Sequence, residues 1–258
     1  MNWNIDPVII HLGPLGLRWY GLFFALSFIA GFIIMNRIYI KEGRNPVELE
    51  NLVIYIFAGT VAGARLDHCL FYEPAYFLNH TLDILKIWEG GLASHGGAAG
   101  ILLFLFLYSH KKGSPGFIWL LDRIAITAAL GGAFIRTGNF FNSEIIGTPF
   151  NGLWAVVFER IDNIPRHPVQ IYEAITYLSI FMILFYIYSA MHKKLKDGFI
   201  SGLFLVLVFS SRFFLEFFKT RQAAYESGFA ISVGQWLSLP FIFAGLLMII
   251  WSLTRKTP

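Results

Sequence analysis

The sequence is poor in charge, nearly free of cysteine and without the short motifs that hold metals or nucleotides, and each scarcity excludes a class of protein. Lys, Arg, Asp and Glu make up only 14% of 258 residues, too few for the charged, solvated surface of a soluble domain. The single cysteine, Cys69, cannot form an internal disulfide and is expected as a packed thiol. There is no HExxH, no acidic metal-binding cluster and no Gly-rich nucleotide loop, so the motifs of zinc peptidases and nucleotide-binding proteins are missing. The alternating segments of about ten residues that a membrane β-barrel requires are missing. No internal repeat or low-complexity tract is visible. The N-terminal stretch "MNWNIDPVIIHLGP" lacks a basic region followed by a cleavage site and reads as an amphipathic end, so no cleaved signal peptide is expected.

Apolar residues are abundant: 56% of the chain is hydrophobic, 17% aromatic, and the mean hydropathy is +0.61. Crossing an apolar layer of roughly 30 Å takes about 20 helical residues. Apolar stretches near 17–36, 51–72, 94–109, 117–136, 169–190, 199–218 and 232–252 predict seven spans. The expected fold is therefore all-α: a polytopic membrane protein of about seven transmembrane helices, one domain over 1–258. The connections "NRIYIKEGR", "HKKGS", "HKKLKDG" and "TRKTP" are basic, whereas those near 73–93 and 219–231 are mixed or acidic. The positive-inside tendency then puts the N-terminus outside and the C-terminus in the cytoplasm. On that topology the net charge of +4 reflects orientation, not a nucleic-acid surface. The longest connection, 137–168, is external; its turn formers "GTPFNG" and "NIPRHP" flank a β-like run "LWAVVFE", which predicts a small ordered head segment.

Ionisable groups inside membrane segments are costly and face a cavity or a partner. Arg65, His95, Arg136, Arg212 and Glu216 all fall near the external membrane face, with Tyr20 in "LRWYGL" and Gln170, Tyr172 and Glu173 at the same level. Singly, each has a plain reading: arginines snorkel to headgroups, Tyr20 beside Trp19 suits an interfacial belt, and Arg212 with Glu216 are i,i+4 neighbours able to pair. The glycines of "GGLASHGGAAG" around His95 allow close approach but also serve helix packing. A shared depth for the whole set points to a site. In "RTGNFFNSEIIG", Arg136 offers a planar fork for a phosphate, Asn139 and Asn142 add neutral donors and acceptors, and Glu144 can orient an arginine or a proton. An anionic lipid headgroup fits this chemistry.

At these residues the chain resembles the prolipoprotein diacylglyceryl transferase family. Arg136, Gly138, Asn139, Phe140, Asn142, Glu144 and Gly147 match the family pattern close to G-R-x-G-N-F-x-N-x-E-x-x-G, with Ile135 where its first glycine usually stands. The resemblance extends through "RWYGL" with Tyr20, "GARLDHCLFY" with Arg65, "GGLASHGG" with His95, "RHPVQIYEA" with Gln170, "SSRFFLEFFK" with Arg212 and Glu216, and "SVGQWLSLP". Ser94 and Val169 stand where an aromatic and a small hydroxyl residue are usual. The resemblance implies transfer of the sn-1,2-diacylglyceryl group from phosphatidylglycerol to the lipobox cysteine of a preprolipoprotein, forming a thioether and releasing sn-glycerol 1-phosphate. It also implies no cofactor, a place in the bacterial cytoplasmic (inner) membrane, and membrane lipids and the substrate signal peptide as partners. A free thiol with a pKa of about 8.5 is only a few per cent thiolate at neutral pH, so a base or a positive field is needed. The expected roles are His95 as base or proton relay, Arg136 as principal phosphate ligand, and Arg212 as second cation oriented by Glu216. Tyr20, Asn139 and Glu144 would position headgroup or thiol, and Arg65, Asn142, Gly147 and Gln170 would complete substrate binding. Arginines alone can also promote thiolate formation, which would leave His95 a hydrogen-bonding role. A lipid transporter would place arginines at headgroup depth too, but commonly needs polar groups on both sides of the midplane or broken helices, whereas Asp122 and Arg123 stand nearly alone in the other half.

Overall fold

The structure, a computed structural model, describes residues 1–12, 15–87, 91, 93–220 and 231–255. Its helices are α1 (Trp19–Lys41), α2 (Pro46–Asp67), α3 (Pro74–Asn79), α4 (Ser94–Ser109), α5 (Phe117–Phe141), α6 (Val169–Met191), α7 (Phe199–Leu215) and α8 (Val233–Thr254). Among the described residues six segments are long and apolar enough to cross a membrane: α1, α2 extended to Tyr72 by a π-helical turn, α5, α6, α7 extended to Phe218 by a 3-10 turn, and α8. The seventh predicted span is the 16-residue α4, which at 1.5 Å per residue reaches only about 24 Å.

Local chemistry sets several helix ends. Asn45 accepts a hydrogen bond from the Val47 amide just before Pro46, which supplies a preset φ at the first helical position. Ser232 and Gln235 form a reciprocal capping box at the start of α8.

The chain divides into two compact units, Met35–Leu121 and Met1–Ile34 with Asp122–Pro258. In the first, α2 packs on α4 backbone to backbone: a Cβ on Gly59 would lie 2.6 Å from the Gly100 carbonyl oxygen. Small residues at such crossings permit close van der Waals contact where lipid provides no hydrophobic drive.

In the second unit, strand β1 (Asn2–Trp3) pairs in parallel with β4 (Val156–Phe158), which pairs antiparallel with β5 (Pro165–Arg166). Strands β2 (Val8–Leu12) and β3 (Leu15–Arg18) form a separate antiparallel pair. The N-terminal stretch expected as an amphipathic end thus supplies strands, one of them to the head. Trp3, Phe140, Val156 and Phe158 make a buried cluster, with Phe141, Ile146 and Ile171 against it. This cluster seats the small sheet on the ends of α5 and α6. The head begins later than the expected residue 137, because α5 continues through Phe141. Its last turns stay helical because their side chains find partners: the Thr137 hydroxyl donates to the Ala133 carbonyl, Asn139 is buried, and Phe140 and Phe141 enter the aromatic cluster.

Candidate active site

Arg136 and Asn139 are i,i+3 neighbours on α5, and Arg136 Nη1 lies 3.4 Å from Asn139 Oδ1. The Asn139 amide donates to Glu144 Oε2 at 3.0 Å and the Asn142 amide to Glu144 Oε1 at 3.1 Å, so two amides grip one carboxylate. The helix end that brings them together is a Schellman turn: the Ser143 amide bonds to the Phe140 carbonyl at 3.1 Å and the Glu144 amide to the Asn139 carbonyl at 2.9 Å. That turn needs a residue in the left-handed region, usually glycine, yet Ser143 fills it at φ 56, and Ile145 follows at φ 55. Left-handed backbone on a β-branched residue is uncommon and costly, and it persists here in the turn that carries Glu144.

Gln170, fully buried at the start of α6, donates to the Glu144 carbonyl at 2.6 Å. Gly147 occupies a crossing of two chain segments, where an added Cβ would collide with the His167 carbonyl oxygen. Its own carbonyl accepts from Arg166 Nη1 at 3.1 Å and from the Thr220 hydroxyl at 2.9 Å, and its backbone pairs with Lys219. Tyr20 lies against α5, with a Cβ on Gly138 falling 3.0 Å from its Cδ2.

The buried charges form an alternating row. Arg136 Nε is 3.1 Å from Glu173 Oε2, Lys219 Nζ is 2.8 Å from Glu173 Oε1, and the same Nζ is 3.1 Å from Glu216 Oε2. The phenols of Tyr177 and Tyr20 lie beside the Arg136 guanidinium. Among the described residues Glu216 therefore meets Lys219, not Arg212, contrary to the i,i+4 pairing that helical spacing suggests. The cause is local: α7 ends at Leu215 and the chain tightens into a 3-10 turn over Glu216–Phe218, which favours i,i+3 neighbours. Arg212 Nε is buried without a hydrogen-bond partner. The sequence places Glu173 in the polar set at site depth without a separate role and leaves Lys219 out; the signal for Lys219 was its place three residues after Glu216.

Sequence reasoning named Tyr172 at site depth but passed over the aromatic residues that the head packs against it. Trp154 Nε1 donates to the Tyr172 hydroxyl at 2.7 Å, His167 Nδ1 lies 3.1 Å from that hydroxyl, and Phe150 stacks on the imidazole with centroids 3.9 Å apart. Desolvation pushes the His167 imidazole below its ordinary pKa.

Arg65 and His95 belong to the unit Met35–Leu121. The Arg65 guanidinium donates to the carbonyls of Ile84 at 2.9 Å, Asp83 at 2.6 Å and Gly91 at 3.4 Å, and lies over the Phe77 ring. It thereby anchors the segment between α2 and α4. His95 stands exposed in the first turn of α4, where the next residue's amide, Gly96, donates to Asp67 Oδ2 at 2.8 Å.

Six candidate spans among the described residues define a multi-pass membrane protein, and the row of buried cations, carboxylates and amides in the unit Met1–Ile34 with Asp122–Pro258 is suited to an anionic group. The profile of the family described as prolipoprotein diacylglyceryl transferase matches residues 7–251, and the chain belongs to that family. It is 56% identical over 254 residues to the phosphatidylglycerol–prolipoprotein diacylglyceryl transferase of Tolumonas auensis, covering 98% of both chains. It is 49% identical to the protein of the same name from Chloroherpeton thalassium, covering 98% of this chain and 94% of that one. The counterpart in Bacteroides fragilis is 40% identical over 258 residues, covering 95% and 93%.

Proposed function

We propose that the protein transfers the sn-1,2-diacylglyceryl group of phosphatidylglycerol to the sulfur of the lipobox cysteine in a preprolipoprotein, in the bacterial cytoplasmic (inner) membrane. The observation that carries this reading is the end of α5, where Arg136, Asn139, Asn142 and Glu144 form one hydrogen-bonded set next to a buried ion-pair row. The thiolate sulfur attacks carbon 3 of the diacylglyceryl unit. The carbon–sulfur bond forms as the bond from that carbon to the phosphate oxygen breaks, and the electron pair leaves with sn-glycerol 1-phosphate. Arg136 holds the phosphate, and Arg212, whose Nε is unpartnered, stabilises the charge growing on the departing group. Glu144, held by its two amides, and Tyr20 position the headgroup. Gln170, Asn142 and Gly147 keep the turn around it in shape. His95 accepts the thiol proton, a role that rests on the chemistry of imidazole and on the family resemblance. Arg65 orders the segment between α2 and α4. The N-terminus lies outside and the C-terminus in the cytoplasm, as the basic connections favour.

Arg136→Lys tests the phosphate role. Lysine keeps the charge but cannot meet Glu173 through Nε and an anion through the terminal nitrogens together. Transfer should fall by about 10²-fold or more at matched membrane levels, while Arg18→Lys, exposed on β3, should be silent. Activity of Arg136→Lys near that of the unaltered enzyme would make Arg136 a membrane anchor.

A further inference from the structure

Glu173 is only 1% exposed, and it meets two cations with different oxygens, Arg136 through Oε2 and Lys219 through Oε1. An arginine and a carboxylate left to themselves favour a two-bond fork, in which both oxygens of the acid take two nitrogens of the guanidinium. Lys219 prevents that closure. Its ammonium occupies Oε1 at 2.8 Å and is itself fixed by Glu216 and by backbone pairing with Gly147. The carboxylate is left one oxygen for Arg136, which it engages at Nε. Among the described residues, beyond Nε the guanidinium meets only neutral groups that an anion can displace: Asn139 Oδ1, a long contact at 3.4 Å from Nη1, and the Tyr177 and Tyr20 phenols beside it.

We propose that Glu173 and Lys219 are positioning residues that hold the Arg136 guanidinium by its Nε side and keep its terminal edge free of a second carboxylate bond, so that the substrate phosphate can take it. The proposal rests on Arg136 being the phosphate ligand. Glu173 supplies the orientation, and Lys219 limits how much of the guanidinium Glu173 consumes. Without Lys219, the buried carboxylate has one cation fewer and turns to close the fork on Arg136. The phosphate must then break an internal ion pair in order to bind.

The test is a double-mutant cycle of Lys219→Met and Glu173→Gln, read as kcat and as KM for phosphatidylglycerol at matched membrane levels. Lys219→Met should raise KM about tenfold or more, with a smaller change in kcat. Lys219→Arg, which keeps a cation against Oε1, should recover most of the loss. Glu173→Gln/Lys219→Met should be no worse than Glu173→Gln alone, because Lys219 acts through the carboxylate that this variant no longer has. If Lys219→Met fails to accumulate, Lys219→Gln carries the same expectations. Multiplicative losses in the double variant, or an unchanged KM in the single one, overturn the proposal. An active Arg136→Lys enzyme would instead overturn the phosphate role itself, so the two failures are distinguishable.

Discussion

Ser143 sits where the Schellman turn that ends α5 calls for glycine, at φ 56, and its hydroxyl is buried without a hydrogen-bond partner. Ser143→Gly removes both penalties. Relief of the left-handed conformation contributes about 1–2 kcal/mol, and removal of an unsatisfied buried hydroxyl about 1 kcal/mol. Against this, glycine's extra freedom in the unfolded chain costs about 0.5–1 kcal/mol. The net gain is about 1–2 kcal/mol, which in a chain of this size is a rise in Tm of about 2–8 °C. The same substitution softens the turn that carries Glu144, so transfer should fall severalfold while phosphatidylglycerol still binds. Thermal unfolding of the detergent-solubilised protein and a transfer assay on the same preparation measure both. A Tm that is unchanged or lowered would refute the strain argument, and a Tm gain with full activity would show that Glu144 does not depend on a rigid turn.

Three further outcomes are expected. His95→Gln should lose about 10²–10⁴-fold in turnover with lipid binding retained; near-normal turnover at neutral pH would move thiol activation to the arginines. For orientation, cysteine at position 153, on the fully exposed Leu153 of the head, should react with an impermeant reagent in intact cells, and cysteine at position 112 should not; the reverse pattern would invert the topology. In the head, hydrogen bonding to Arg166 holds the Asp162 carboxyl below its ordinary pKa. A depressed folded-state value means that its contribution is present above the ordinary carboxylate range and lost as pH falls through the folded value. Asp162→Asn should therefore loosen the head at neutral pH, measured by proteolysis of 142–168, and should match the unaltered protein in acid.

The spans were legible because an apolar layer demands length and hydrophobicity, and both are written locally. The end of α5 was not, because Arg136 and Asn139 look like a chain leaving the membrane. They remain helical because Arg136 finds Glu173 and Asn139 finds Glu144, partners that a hydropathy window does not see. The two-residue strand Asn2–Trp3 forms only because β4 lies beside it, more than 150 residues away in the chain, so local pattern carries no trace of it. In the site, the residue types and the run from Arg136 to Gly147 were visible from spacing and resemblance. The pairing was not. An i,i+4 rule joined Arg212 to Glu216, whereas the 3-10 turn hands Glu216 to Lys219, and the contact of Arg136 with Glu173 crosses between helices.

The most direct measurement is product identity. Purified protein is incubated with phosphatidylglycerol and a lipobox peptide, and the peptide and the aqueous phase are examined by mass spectrometry. The account predicts a diacylglyceryl group in thioether linkage on the cysteine, an equal amount of glycerol phosphate released, and both products lowered together by about 10²-fold or more with Arg136→Lys. An unmodified peptide alongside phosphatidylglycerol moved between leaflets without release of glycerol phosphate would contradict it and make the protein a lipid transporter.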